Sequence, residues 1–267
     1  MNYDLLFILI FWMAAMTIVT ISSVRIVQKY PAYGFAALTA FYVAYLLSSQ
    51  VIATKLATFD FGTWFGFSIV LSTPAAALLY PFIAQVLDMI NEVYGKRRAV
   101  AAVLIALATQ VLFVMFIAMA VKIPAAAFYE LDSEWTAIFA LSVGVTFASW
   151  VSFLACSLLD TFMFSYIKQK LRPKELAFKG DTFLNPYIWI RSLVTDVFSL
   201  AVDSVIFVII AFYFVGGMPW EVVSGLIVGQ LAVKVIIGAA DTPWFVLYKR
   251  ILGKTDLSNV QFVEEKA

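Results

Sequence analysis

The stretch Leu87-Asp-Met-Ile-Asn-Glu-Val-Tyr-Gly-Lys-Arg-Arg-Ala99 closes a long apolar run with two acids, an amide and a basic cluster. Asp88, Asn91 and Glu92 stand at i, i+3 and i+4, so on a helix they share one face. The rest of the chain says where that helix lies. Of 267 residues, 63% are hydrophobic and only 13% are charged. A water-soluble domain of this size has no use for so much apolar surface. The chain is read as an all-α polytopic membrane protein. A charge in hydrocarbon costs at least about 2.5–3.5 kcal/mol, so the acids of this stretch must face the bundle interior or a wet cavity.

Working outward, a span needs about 20 mostly apolar residues. Seven are expected, at 4–24, 34–57, 66–94, 98–122, 135–168, 186–214 and 219–249. Pro74 and Pro81 predict a kink in the third. No short alternating strands stand out, which argues against a β-barrel. Orientation follows from Lys and Arg. With seven alternating spans, one side collects Arg25, Lys29, Lys96, Arg97, Arg98, Lys168, Lys170, Arg172, Lys174, Lys179, Lys249, Arg250, Lys254 and Lys266, which is 14 of the 18 basic residues. The opposite loops hold Asp60, Glu130, Asp132, Glu134 and Glu221. The positive-inside rule then puts the N-terminus outside and the C-terminus in the cytoplasm. The first positive charges follow the first apolar run, which reads as an N-outside anchor rather than a cleaved signal. The segment 169–185 reads as a short polar connector, and residues 1–267 as one integral membrane domain.

Composition excludes several chemistries. The net charge of +1 gives no electrostatic case for nucleic acid. His is absent, which removes His-based metal sites, triads and proton relays. The single Cys, Cys156, makes no intramolecular disulfide. No Gly-rich phosphate loop, ATPase motif, closely spaced Asp pair or metal-ligand cluster occurs. The expectation is a non-enzyme without cofactor or metal.

Acids expected at membrane depth are Asp88, Glu92, Asp160, Asp196, Asp203 and Asp241, against the deep bases Arg191 and Lys234. Two bases cannot neutralise six acids. Asp88, Asp160 and Asp241 each precede a basic residue (Lys96, Lys168 and Lys249) by eight positions. At about 1.5 Å per residue this places all three about 12 Å inside their lysines, a layer of acids in the cytoplasmic half. Asp196 reaches a comparable depth from the inner side. Asp196 and Asp203, and likewise Lys234 and Asp241, are i, i+7 pairs that share a face, and Asp203 is expected to meet Lys234 across spans six and seven. Ser48, Ser49, Gln50, Thr195, Ser199 and Ser204 add polar groups, and Tyr45, Tyr80, Tyr94, Trp150 and Trp189 are candidate cavity walls. Asp160 and Glu92 are equally compatible with plain ion pairing to the lysine-rich face.

Tyr80-Pro81 together with Asp88-Met-Ile-Asn-Glu-Val-Tyr-Gly-Lys-Arg-Arg-Ala99 resembles the signature helix of the queuosine precursor transporters, also called the vitamin uptake transporter family. Leu158-Leu-Asp160-Thr-Phe-Met-Phe164, then Arg191, Ser199 and Asp203-Ser-Val-Ile-Phe207, then Lys234 and Asp241-Thr-Pro243 resemble later segments of that family, in order, over roughly 36–250. The chain departs from the pattern at Gln50, Ser157, Asp196 and Leu200. The resemblance implies a six-helix core at 34–250 with residues 1–30 as an added helix. It implies import, across a prokaryotic plasma membrane, of a 7-deazaguanine precursor of modified tRNA bases, such as 7-cyano-7-deazaguanine or its aminomethyl relative. The residues expected to bind it are Asp88, Asn91, Glu92, Gln50, Asp196, Asp203, Arg191, Lys234 and Asp241, because a carboxylate accepts the adjacent N–H donors of a guanine-like edge side by side. Two other readings stand beside it: a substrate-capture subunit energised by a separate partner, and a retinal protein with Lys234 as the Schiff-base lysine. The sequence leaves a homo-oligomer open.

Overall fold

The computed structural model describes residues 3–64, 67–144 and 146–253. Lys254 and Lys266, counted above with the basic tail, lie outside them. Helices α1 (Tyr3–Lys29) and α2 (Pro31–Ile52) are followed by strands β1 (Leu56–Trp64) and β2 (Phe67–Pro74). A 3₁₀ segment (Ala75–Leu79) leads into α3 (Tyr80–Ala120), then come α4 (Asp132–Gly144), α5 (Thr146–Ala177), α6 (Pro186–Val208), a π-helical segment (Ile209–Val215) and α7 (Trp220–Leu252). Among the described residues, six helical stretches are long and apolar enough to cross a membrane, the longest being Ala75–Ala120 at 46 residues. Large apolar side chains such as Phe7, Phe11, Met115, Phe116 and Phe214 are exposed, as a surface facing lipid requires.

Residues 56–74 depart from the expectation. The expectation places 56–57 in span two and 66–74 in span three with a loop between, but β1 and β2 pair antiparallel, with Leu56 opposite Pro74 and Trp64 opposite Phe67. The run is rich in Phe, Trp, Thr, Ile and Val, which fit a pleated surface as well as they fit lipid. An average over apolar residues cannot separate the two. Span two therefore ends at Ile52, and the third span begins at the 3₁₀ segment. The segment 169–185 also differs, because α5 continues through it to Ala177.

The stretch 75–120 would be about 69 Å long as one straight rod, twice what a bilayer needs. It is not straight. Gly95 sits at φ 76° and ψ 174°, a backbone that only glycine adopts without strain, and it kinks the helix. Contacts with α2 give the direction on each side. Before the kink, Tyr45 packs on Phe82 and Phe35 on Tyr94, so the first half runs opposite to α2. After it, Gln50 bonds Gln110, so a later α3 residue meets a later α2 residue, and the second half runs with α2. Gly34 allows the tight packing at the kink, since a Cβ there would lie 2.1 Å from the Tyr94 hydroxyl.

Helix α1 is bound into the bundle. Trp12 Nε1 donates to the Leu78 carbonyl at 2.9 Å, Trp244 Nε1 to Thr17 Oγ1 at 2.9 Å, and Gln85 Nε2 to Thr20 Oγ1 at 3.1 Å. The core around α1, α2 and both halves of α3 includes Val24, Val27, Leu38, Tyr42, Met89, Ile90, Val103 and Ala106, all buried.

Candidate functional site

Four segments meet at the centre of the bundle: the first half of α3, then α5, α6 and α7. Their polar side chains fall into three layers: from the first to the second each helix steps seven or eight residues, about 11–12 Å, and from the second to the third between four and eight. In the first layer, Lys234 of α7 forms a fully buried ion pair with Asp203 of α6. Its ammonium also lies 3.8 Å from the centre of the Tyr80 ring, and Ser152 of α5 donates to Asp203 Oδ1. The expected meeting of Asp203 and Lys234 is thus present.

The second layer holds acids alone. One carboxylate oxygen from each of Asp88, Asp160 and Asp196 lies within 4.8 Å of the others, and all three residues are buried. Ser199 donates to Asp160 Oδ1 at 3.1 Å and Ser192 to Asp196 Oδ2 at 3.1 Å. Among the described residues nothing donates to Asp160 Oδ2, to Asp196 Oδ1 or to either oxygen of Asp88. Asp241 of α7, buried and likewise without a donor on either oxygen, interacts electrostatically with Asp160 and Asp196. The sequence reading found no metal-ligand cluster because it looked for close spacing along the chain. The fold brings three carboxylates together from residues 36 or more positions apart.

The third layer is an ion-pair network. Glu92 of α3 meets Lys168 at 3.2 Å, Arg191 at 3.0 Å and Lys249 at 2.9 Å. Glu175 of α5 adds pairs to Arg191 at 3.3 Å and to Lys249. Arg191 is fully buried, with its guanidinium carbon 4.7 Å from the centre of the Phe164 ring. Lys168 also donates to the carbonyls of Glu92 and Asn91 at 2.8 and 3.3 Å. These belong to the last turn before the Gly95 kink, where helical partners run out. Glu92 occupies the place in this layer that the regular eight-residue spacing would give to Lys96. Lys96 lies beyond the kink, exposed, over the Phe162 ring.

A cavity of ≈ 640 Å³, counting its mouth, opens between α2, α3, α5 and α6. Its polar lining comes from Ser49 and Gln50, Gln110, Tyr80, Ser149, Ser157, Asp160, Ser199 and Asp203. Gln50 Nε2 donates to Gln110 Oε1, joining two helices across the wall. Of the nine expected binding residues, Gln50 and Asp203 line this cavity, and Lys234 stands directly behind Asp203. Asp88, Asp196 and Asp241 lie in the acid layer, which meets the cavity through Asp160. Glu92 and Arg191 border a second cavity together with Lys168, Arg172, Glu175 and Lys249. Asn91 is engaged elsewhere, since its Nδ2 donates to the Thr161 carbonyl at 3.0 Å and its Oδ1 accepts from Ser165 at 2.9 Å, which clamps α3 to α5. Of the five aromatic residues expected to wall the cavity, Tyr80 does. Tyr45 and Tyr94 pack on Phe82 and Phe35, and Trp189 donates to the Phe183 carbonyl at 2.7 Å. Gln110 and Ser149 escaped the sequence reading, and Ser157 stood there only as a departure from the family pattern. Gln110 sits in the apolar run Leu104–Leu112, where its polarity was the sole signal.

Long apolar helices around an internal cavity with polar side chains in its wall define a multi-pass membrane protein. The chain belongs to the family described as "Putative vitamin uptake transporter", whose model matches residues 74–248. The match spans the 3₁₀ segment, α3 to α6 and α7 as far as Tyr248, and so contains the first two layers whole and the third but for Lys249. The α2 wall with Gln50 precedes it. No curated protein and no solved structure matches the chain.

Proposed function

We propose that this transporter imports a purine-like base, a 7-deazaguanine precursor of modified tRNA bases, through the cavity between α2, α3, α5 and α6. The observation that carries the reading is the cavity wall: the Asp160 and Asp203 carboxylates and the Gln50–Gln110 amides sit among Leu46, Ile83, Phe153 and Phe207. A flat base offers apolar faces to such walls and a guanine-like edge of adjacent N–H donors to a carboxylate, while the amides match mixed donors and acceptors. Asp160 is the carboxylate best placed for that edge. Asp88, Asp196 and Asp241 support it from behind.

The proposed topology is seven spans, N-terminus outside and C-terminus in the cytoplasm of a prokaryotic cell, with 75–94 and 96–120 as separate spans. The directions of the packed segments support it. By the contacts above, α1, the first half of α3, α5 and α7 run one way, and α2, the second half of α3 and α6 run the other. The 20 residues of 75–94 extend about 32 Å, enough to cross the hydrocarbon core. A C-terminal reporter active only outside the cytoplasm should be silent, and strong activity would reverse the orientation.

The substrate is tested by binding to purified protein across a panel of purines, deazapurines and vitamins. Saturable binding of 7-cyano-7-deazaguanine or its aminomethyl relative is expected. Stabilisation by a vitamin of different shape, with no response to any deazaguanine, would refute the substrate.

A further inference from the structure

We propose that Asp88, Asp160 and Asp196, backed by Asp241, form a binding site for one hard cation of the size of Na⁺ or Ca²⁺. Its role as a coupling ion rests on the transport reading above, but its existence does not.

The geometry and the orphaned oxygens point there independently. The carboxylates come from α3, α5 and α6, and an oxygen from each lies within 4.8 Å of the others. Oxygens gathered this closely lie near the spacing needed to share one large hard cation, whose coordination distance is about 2.3–2.6 Å. Each carboxylate is held or left free in a way that suits coordination. Ser199 and Ser192 take one oxygen of Asp160 and Asp196, which fixes those groups, and the second oxygen of each has no donor among the described residues. Asp88 has none on either oxygen and is 1% exposed, and Asp241 has none and is 2% exposed. Buried polar atoms rarely stay without partners, because each such atom costs roughly 1–3 kcal/mol.

The nearby bases are committed elsewhere. Lys234 pairs with Asp203, and Arg191, which interacts electrostatically with Asp88, is bonded to Glu92 and Glu175. The donor set is oxygen only, which selects a hard ion over a transition metal. Mg²⁺ keeps several waters in its shell and suits so dry a layer poorly. Asp160 belongs to both the acid layer and the cavity wall. A cation that orients it therefore raises affinity for a base in the cavity, and the base raises affinity for the cation by the same factor.

The test is thermal unfolding of the full-length purified protein, without any base, at constant ionic strength. Na⁺ replaces choline in one arm and Ca²⁺ replaces Mg²⁺ in another. A saturable rise in the midpoint is expected in at least one arm, identifying the ion. Asp196→Asn and Asp241→Asn should raise the half-saturating concentration by about tenfold or more, a loss that even changes behind the ligand shell produce. Asp181→Asn, an exposed acid paired with Arg250, should leave it unchanged. No saturable response in folded wild-type protein, or an unchanged one in Asp196→Asn, overturns the site. If the variants fail to fold, equilibrium binding of ²²Na⁺ or ⁴⁵Ca²⁺ to wild type decides: one ion per chain supports the site, none overturns it. Deazaguanine binding that persists without any cation response sinks the cation site and spares the substrate. A cation response without deazaguanine binding does the reverse.

Discussion

Removing Lys234 should strongly destabilise this protein, and removing its partner as well should cost less than the sum of the two separate losses. The ammonium is fully buried and has two neighbours, the Asp203 carboxylate and the face of Tyr80. Asp203 in turn accepts from Ser152 on its other oxygen. Lys234→Met removes the cation and keeps most of the volume. It leaves Asp203 with one hydroxyl for company, and the expected cost is about 3–5 kcal/mol, the range for orphaning one member of a buried pair. Asp203→Asn should cost less, about 1.5–3 kcal/mol, because the amide oxygen still accepts from the ammonium and the Tyr80 face remains. Independent sites would add to about 4.5–8 kcal/mol. The double variant buries two neutral side chains and should fall short of that sum by about 1–3 kcal/mol. The assay is equilibrium unfolding of the purified variants in one detergent, taken as a double-mutant cycle. Additivity within about 0.5 kcal/mol would refute the pairing. A cost below about 1 kcal/mol for Lys234→Met would refute its burial.

Asp160→Asn should weaken deazaguanine binding roughly ten- to a hundredfold, the worth of one charge-assisted hydrogen bond, while the protein still inserts and purifies; unchanged affinity in a binding titration would move the site toward Asp203. Gln110→Ala should reduce uptake more than it reduces stability, since the amide lines the cavity and holds Gln50 in place; intact uptake in vesicles would make the pair structural. Gly95→Ala forces a side chain onto φ 76° and should destabilise by about 1–3 kcal/mol in the same unfolding assay, against no effect if the kink were a relaxed helix. Glu92→Gln strips three cations of one partner at once and should cost about 3–5 kcal/mol, with a loss under 1 kcal/mol showing that Glu175 alone holds the layer.

Position along the bundle axis was legible in the sequence, and azimuth was not. The rise per residue of a helix is constant, so the spacing of Asp160 from Lys168 and of Asp241 from Lys249 placed each pair correctly in adjacent layers. The third such pair failed on Lys96, because the chain kinks at Gly95 before that lysine and Glu92 fills the position instead. Which neighbour a face meets depends on how four helices are rotated, and no local pattern encodes that. Asn91 therefore looked like a ligand although both ends of its amide are used by α5. Asp160 looked like a partner for surface lysines although it faces the acid layer and the cavity. The hairpin at 56–74 escaped for another reason: aromatic and β-branched residues serve lipid contact and strand pairing alike, so apolarity alone cannot assign them.

The three layers differ in how their charges are met, and that difference locates the working part of the molecule. In the Asp203–Lys234 layer one acid meets one base. In the Glu92–Glu175 layer two acids meet Lys168, Arg191 and Lys249, so the layer carries an excess positive charge beside the acids above it. Both layers are complete from the chain's own residues and tie helices together. The middle layer has four carboxylates and no base of its own. A bundle selected only for stability would leave apolar residues there, because each unpartnered carboxylate costs far more than a leucine. Beyond the hydroxyls of Ser199 and Ser192, no described residue donates to Asp88, Asp160, Asp196 or Asp241. On the cation proposal this is the layer whose partner can come and go, and it adjoins the cavity through Asp160. The polar residues of the opening stretch thus divide by surroundings: Glu92 joins the ion-pair layer, Asn91 clamps α3 to α5, and Asp88 stands in the acid layer.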